Sequence, residues 1–432
     1  MSFPSFAARK PAMIAMATAA LLVMSSCASS ASNDASSSNA SSETAATEST
    51  ESTATPEPTP TEEPEPTTIH IAAGGDVLLH LSVNEAAKRS AGGKLDYTKL
   101  TKNIEPYIKG ADLSICGLEI PVAPPGTQPS NYPAFGAPKE IAASLKKMGW
   151  DGCATATNHS MDRGFAGVES TLDALDEAGL GHHGTARSED EADQTQFYTL
   201  KVGDRDLKVA HLSASTLTNG IHIPEEQPWS WNVVGKLGNR TVDDLIEDAK
   251  EAREDGADLV VASMHWGTEY VSDPVPEQTQ IADQMAESGQ FDLVFGNHSH
   301  VPEPITKLDG GPQGNGMWVV WSMGNMVSGQ SSVAQRDPRV TSGLLTTAAV
   351  EVPAEGAPKV TNLEWTAVTQ DMNSDYVYSM RELEKGYTDA GMGISAAELK
   401  RRADVTYPVM KGADERTEAP EPASKLVDQS RE

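Results

Sequence analysis

An α/β fold is what this sequence predicts, and three observations predict it. Short apolar runs alternate with amphipathic stretches between residues 68 and 369. The amphipathic stretches space their apolar residues three and four apart. Asp, Glu, Asn and His recur where the apolar runs stop. At 432 residues the chain can bury one large core.

The first strand is read at residues 69–73, running into Gly74, Gly75 and Asp76. Residues 113–115 form a second, ending at Gly117, Leu118 and Glu119, and residues 152–156 a third, ending at Asn158 and His159. Val168, Leu172 and Leu175 mark a helix over 165–178, and Val242, Leu245, Ala249 and Ala252 another over 242–255. Residues 208–213 and 259–264 are strands, the latter stopping at His265. A helix closes at 281–288, a strand follows at 293–295, and 296–300 is the turn after it. Residues 317–323 and 344–352 complete a later strand set. Past about Gln370 the chain is charged, with Tyr376, Tyr378, Leu383 and Leu399 to pack a helical piece and residues 417–432 as a loose tail.

Ahead of the domain, Arg9 and Lys10 precede an apolar run over 11–24 that is too short to span a bilayer comfortably, the layout of a secretory signal. Val23 to Cys27 resembles a lipoprotein box, so residues 1–27 are expected to be a signal peptide with Cys27 lipidated; plain secretion with Cys27 unmodified is the alternative. Residues 28–67 are Ser, Ala, Thr, Glu and Pro with almost no large apolar residue, which cannot offset chain entropy and is expected to be a disordered tether. The expected organisation is thus 1–27 signal, 28–67 tether, 68–370 domain and 371–432 C-terminal extension, with an extracytoplasmic, membrane-anchored location.

The 62 acidic against 33 basic residues give a formal net charge of −29, which argues against nucleic-acid binding and against docking on anionic lipid. Cys116 and Cys153 both sit in apolar strands; a disulfide and two buried thiols both fit, since pairing geometry is not written in sequence.

The chemistry concentrates at Thr157-Asn158-His159, at residues 265–270 (HWGTEY) and at residues 296–300 (GNHSH). His298 and His300, one residue apart on an extended segment, face one side, so both rings can reach one ion or two neighbouring ions. Asp76, Glu119 and Asn158 add hard oxygens, and His265 a further imidazole. A mixed oxygen and nitrogen set of this kind suits one or two divalent ions such as Mn, Zn or Fe. His182 and His183 are expected in a turn, outside the site; His211 and His80 are weaker candidates.

In their order these motifs resemble the CapA family, a branch of the calcineurin-like metallophosphoesterases named for capsule and poly-gamma-glutamate synthesis. The resemblance runs through GGDVLL (74–79), GLEIPV (117–122), TNHSMDRG (157–164), HWGTEY (265–270), GNHSHVPEP (296–304) and WSMGNMV (321–327), covering about three hundred residues. It implies a four-layer α-β-β-α sandwich. It also implies that Asp76 and His300 hold one metal, that Asn158, His265 and His298 hold another, and that Glu119 bridges them. His159 would then act at the leaving group, with Asp162 either orienting its ring or capping the next helix.

The chain departs from standard phosphoesterases at Leu78, where they carry histidine, and at Glu119, where they carry aspartate; the CapA pattern shares both. Thr157, Gly117 and Ser299 depart from that pattern itself. Trp266, Glu269 and Tyr270 are candidate substrate contacts, Trp266 having packing behind His265 as its other reading. Metal pairs of this type lower the pKa of bound water from about 15.7 to near 7. The expected function is therefore a cell-surface, metal-dependent hydrolase-type role in capsule or extracellular polymer synthesis or processing. A non-catalytic polymer-binding part of a membrane synthesis complex and a hydrolase of cell-wall glycan or phosphodiester are the alternatives. The expected partners are the membrane through the lipid anchor, an extracellular anionic polymer or glycan, and membrane polymer-synthesis proteins.

Overall fold

The computed structural model describes residues 65–331, 334–386 and 393–432. Cys27, the signal and most of the tether lie outside the described residues. In chain order the strands are β1 (Thr67–Leu78), β2 (Leu113–Leu118), β3 (Gly152–Ala154), β4 (Gly181–His183), β5 (Gln196–Val202), β6 (Arg205–Ser215), β7 (Leu259–His265) and β8 (Leu293–Asn297). They continue as β9 (Ile305–Leu308), β10 (Met317–Val320), β11 (Asn325–Ser328), β12 (Ser342–Val352), β13 (Lys359–Asp371), β14 (Tyr376–Ser379), β15 (Asp414–Glu415) and β16 (Lys425–Arg431).

Among the described residues these form two sheets. One has the order β14-β13-β12-β1-β2-β3-β4, with β11 beside β1 and β15 beside β13; the other runs β16-β5-β6-β7-β8-β10-β9. The runs β1 to β4 and β6-β7-β8-β10 are parallel. Parallel strands are covered on both faces and so carry continuous apolar sequence, as β2 and β7 do, with every residue buried.

Three apolar cores separate the layers. Ile69, Ile71, Leu113, Val209, Val261 and Leu344 fill the space between the sheets. Leu118, Leu145, Leu172 and Leu175 join the outer face of the first sheet to helices Glu140–Met148 and Gly164–Ala178. Leu212, Val260, Leu245 and Met285 join the outer face of the second to helices Val242–Glu254 and Pro276–Ser288. This is the four-layer α-β-β-α sandwich that the motifs implied. Among the described residues no helix is long and apolar enough to cross a membrane.

The C-terminal segment corrects the expectation. Residues read as a loose tail include β16, which pairs antiparallel with β5 from Lys425 to Arg431 and forms one edge of the second sheet. Arg431 bonds Asp176 and Glu191, and Lys208 bonds Glu432. The 371–432 stretch therefore supplies strands to both sheets instead of being an appendage. Cys116 and Cys153, cross-strand neighbours on β2 and β3, are joined as a disulfide.

Candidate metal centre

The carboxyl ends of β1, β2 and β3 in one sheet meet those of β7 and β8 in the other, the place where parallel sheets gather ligand-binding side chains. Asp76 lies two residues before the end of β1, Glu119 directly follows β2, His265 ends β7, and His298 and His300 follow β8. Asn158 and His159 sit in the turn after β3. All are buried.

Asp76, Glu119 and His300 each offer a ligand atom, all within 4.8 Å of one another. His300 lies 3.3 Å from Asp76 through Nδ1 and 3.7 Å from Glu119 through Nε2. Asn325 Oδ1, 3.1 Å from Nδ1, fixes the ring. Alongside, His265 Nε2 is 2.9 Å from Asn158 Oδ1 and 3.9 Å from Glu119 Oε1, and the His265 and His298 rings are 5.0 Å apart. Atoms bound tetrahedrally to one ion at about 2.0–2.2 Å sit roughly 3.3–3.6 Å from each other, close to the 3.3 and 3.7 Å from His300 to Asp76 and Glu119. Glu119 thus lies between the two groups, and all six expected ligands come together.

The chemistry of the donors fits a cation. Asp76 Oδ1, both Glu119 carboxylate oxygens and His298 Nδ1 are buried with no hydrogen-bond partner among the described residues. Unpaired buried carboxylates are costly in a protein interior, and a bound cation removes that cost. Burial, followed by the Asp76 charge, pushes Glu119 well above the ordinary carboxylate value. Burial and the neighbouring imidazoles hold His265 and His298 well below theirs, so both rings are neutral. Burial opposes protonation of His300 too, but Glu119 and Asp76 outweigh it and raise it to about 9.

Backbone strain is concentrated here. His298 and His300 adopt φ of 100° and 59°, and Tyr270 of 65°, left-handed values that non-glycine residues hold only when their surroundings enforce them. Gly117 explains one departure from the family pattern. A Cβ there would lie 2.4 Å from Asn297 Nδ2, so the Asn297 carboxamide occupies the volume that a side chain at 117 would need. Leu78 packs into the helix-side core.

Asp162 orients His159: its Oδ2 lies 2.7 Å from His159 Nδ1 and accepts the Phe135 N–H at 2.7 Å. It does not cap helix Gly164–Ala178, where Arg163 holds the N-cap position without a side-chain bond. Phe135 also meets the His159 ring edge-on at 4.9 Å.

Of the expected substrate contacts, Trp266 is corrected. It is fully buried, donates Nε1–H to the Trp321 carbonyl at 2.9 Å and stacks on Trp321, so it supports His265 from the core. Tyr270 is half-buried with its ring 6.1 Å from His300, and Glu269 is exposed beside it.

One residue escaped the sequence reading. Asn219, exposed in the loop after β6, accepts the Asn158 Nδ2–H at 3.1 Å and so turns the Asn158 Oδ1 toward His265. A single Asn before Gly220 looks like a turn residue, and no local signal separates the two roles. His182 and His183 form β4 instead of a turn, and His211 bonds Ser263 between the sheets, so none of the three joins the cluster.

A family model described as bacterial capsule synthesis protein PGA_cap matches residues 70–330, from β1 through the loop after β11. The chain belongs to this capsule synthesis protein family. The match spans every residue of the cluster, and the family is the one the CapA-like motifs pointed to. The chain is similar to the capsule biosynthesis protein CapA of Bacillus anthracis, 27% identical over 325 residues, or 72% of each chain. It is 26% identical over 276 residues to the PGA biosynthesis protein CapA of Bacillus subtilis (strain 168), covering 61% of this chain and 64% of that protein. Among solved structures, a calcineurin-like phosphoesterase, YfkN, from Bacillus subtilis aligns with TM-score 0.42 at 12% identity, over 79% of this chain and 97% of that one.

Proposed function

We propose that this family member acts at the cell surface in the synthesis or processing of a capsule-type polymer, with a metal-dependent hydrolase-type site as its working part. The observation that carries the reading is the buried group of unpartnered donors on Asp76, Glu119 and His298, met by Asn158, His265 and His300. Divalent ions bound there would supply Lewis acidity and an activated water. The chain's own residues would hold them: Asp76, Glu119 and His300 on one side, Asn158, His265 and His298 on the other. His159, steadied by Asp162, holds a proton for the leaving group, and Tyr270 and Glu269 border the opening.

The relatives named for capsule and PGA biosynthesis support a polymer of the poly-gamma-glutamate type as the substrate class. The basic and apolar N-terminus, with Cys27 and the residues that follow it, supports lipid anchoring outside the cytoplasm. The buried Cys116–Cys153 disulfide fits an oxidising compartment. We propose residues 1–27 as signal, 28–67 as tether, and the remainder as the working domain.

A second reading is a polymer-binding component without turnover. It is favoured by Leu78, which leaves the Asp76 side with only Asp76, His300 and the shared Glu119 as side-chain ligands. The test is metal analysis of the purified protein together with a screen against poly-gamma-glutamate, cell-wall glycan and phosphodiesters. Bound Mn, Zn or Fe and hydrolysis, both lost in His265→Ala, support the enzyme. Metal and polymer binding without hydrolysis support the second reading, and absence of metal with unchanged behaviour in His265→Ala and His298→Ala overturns both.

A further inference from the structure

Beyond β4, on the flank of the first sheet, residues 183–194 and 228–240 enclose a cavity of about 180 Å³. Pockets for drug-sized ligands run to roughly 300–1,000 Å³, so this one has room for a single small unit. It shares no side chain with the metal cluster. Trp229 forms its aromatic wall, and an edge contact with Phe165 at 5.7 Å holds the half-buried ring in place.

The cationic groups of the cavity are already matched. Arg240 pairs with Asp248 at 2.7 Å, and Arg431 with Asp176 at 2.9 Å and with Glu191. Neither guanidinium is left to receive a free anion, and the exposed Asp193 carboxylate at the rim would repel one.

A neutral donor is left over instead. His183 Nδ1 accepts the Ser213 backbone N–H at 2.8 Å, which puts the proton on Nε2, with no acceptor for it among the described residues. Burial, with His211 and Arg240 nearby, holds His183 down at about 3, so the ring is uncharged. An unpaired donor in a pocket wall is a group that a ligand satisfies.

We propose that this cavity binds one uncharged sugar unit of a glycan. Its ring lies on Trp229, a hydroxyl oxygen accepts from His183, and hydroxyl hydrogens are taken by Asp193. An aromatic face, a neutral donor and a carboxylate acceptor are the groups that a polyhydroxylated ring needs, apolar on its faces and polar around its edge. The protein thereby grips a glycan at a point separate from the metal centre.

The test is saturation-transfer NMR on the full chain with glucose, galactose and N-acetylglucosamine, and with L-glutamate and inorganic phosphate as comparisons. The expected result is transfer to at least one of the sugars, reduced at least fivefold in both Trp229→Ala and Asp193→Asn and unchanged in His265→Ala. Asp193 is exposed, so Asp193→Asn carries the test alone if Trp229→Ala does not fold. Transfer to none of the sugars, transfer to L-glutamate or phosphate only, or sugar transfer that survives Asp193→Asn overturns the proposal. So does sugar transfer lost in His265→Ala, which would move the sugar to the metal centre.

Discussion

His265 Nε2 and Asn158 Oδ1 lie 2.9 Å apart although 107 residues separate them along the chain. One comes from the second sheet and the other from the turn after a strand of the first, so the centre is a seam between two sheets. Anything that fixes either partner's orientation acts on the whole centre.

Asn219 is such a fixture. Asn219→Ala frees the Asn158 carboxamide to rotate and is expected to weaken Mn or Zn binding about tenfold, in the range typical of groups that orient metal ligands. Asn219→Asp keeps an acceptor for the Asn158 N–H and is expected to stay near the parent. Metal titration by calorimetry separates the two, and equal affinities in all three proteins would refute the role.

His159 and Asp162 are expected to divide differently from the ligands. His159→Ala should lower turnover by about 10²–10⁴, the usual contribution of a positioned acid, while leaving metal content intact. Glu119→Gln should lose metal as well as turnover. Metal content measured beside rates on whichever polymer the screen identifies checks both.

Glu303 predicts a pH effect on stability. It is fully buried, Oε2 accepts from Gln278 Nε2 at 2.8 Å and Oε1 has no hydrogen-bond partner among the described residues; burial raises its carboxyl from 4.5 to about 7. Because the folded chain holds this proton more tightly than the unfolded one, its contribution is most favourable below pH 4.5. It declines as pH rises through 7. Glu303→Gln keeps an acceptor for Gln278 without the charge, so it should stabilise the protein at pH 8 by about 3 kcal/mol and change little at pH 4.5. Urea titrations at the two pH values read the difference.

The disulfide closes a loop whose ends are 37 residues apart and ties β2 to β3, the strands that deliver Glu119 and Asn158. Replacing Cys116 and Cys153 by serine is expected to cost about 2–4 kcal/mol. Denaturation midpoints of the double variant against the parent, both unreduced, give the value.

Most of the centre was legible because each ligand follows an apolar run that had to be a buried strand: Asp76 after 69–73, His265 after 259–264, His298 and His300 after 293–295. Trp266 carried two readings because position next to His265 does not say which face of the chain meets the core; the structure takes the packing one. Asn219 was invisible because its role depends on a loop folding back across sequence-distant Asn158. β16 was missed because an edge strand has one unpaired side and little burial, so KLVDQSR carries none of the apolar signal that marks a central strand. Whether the two cysteines pair depended on the lateral register of β2 and β3, which no single strand encodes.

That edge strand also shapes how the molecule comes together. Residues 425–431 lie against residues 196–202, so the second sheet lacks a border until more than two hundred intervening residues have been made and folded. Contacts this distant along the chain close slowly. An emerging polypeptide therefore spends its synthesis with β5 uncovered, and refolding yields should depend on the integrity of the last eight residues more than their exposure suggests.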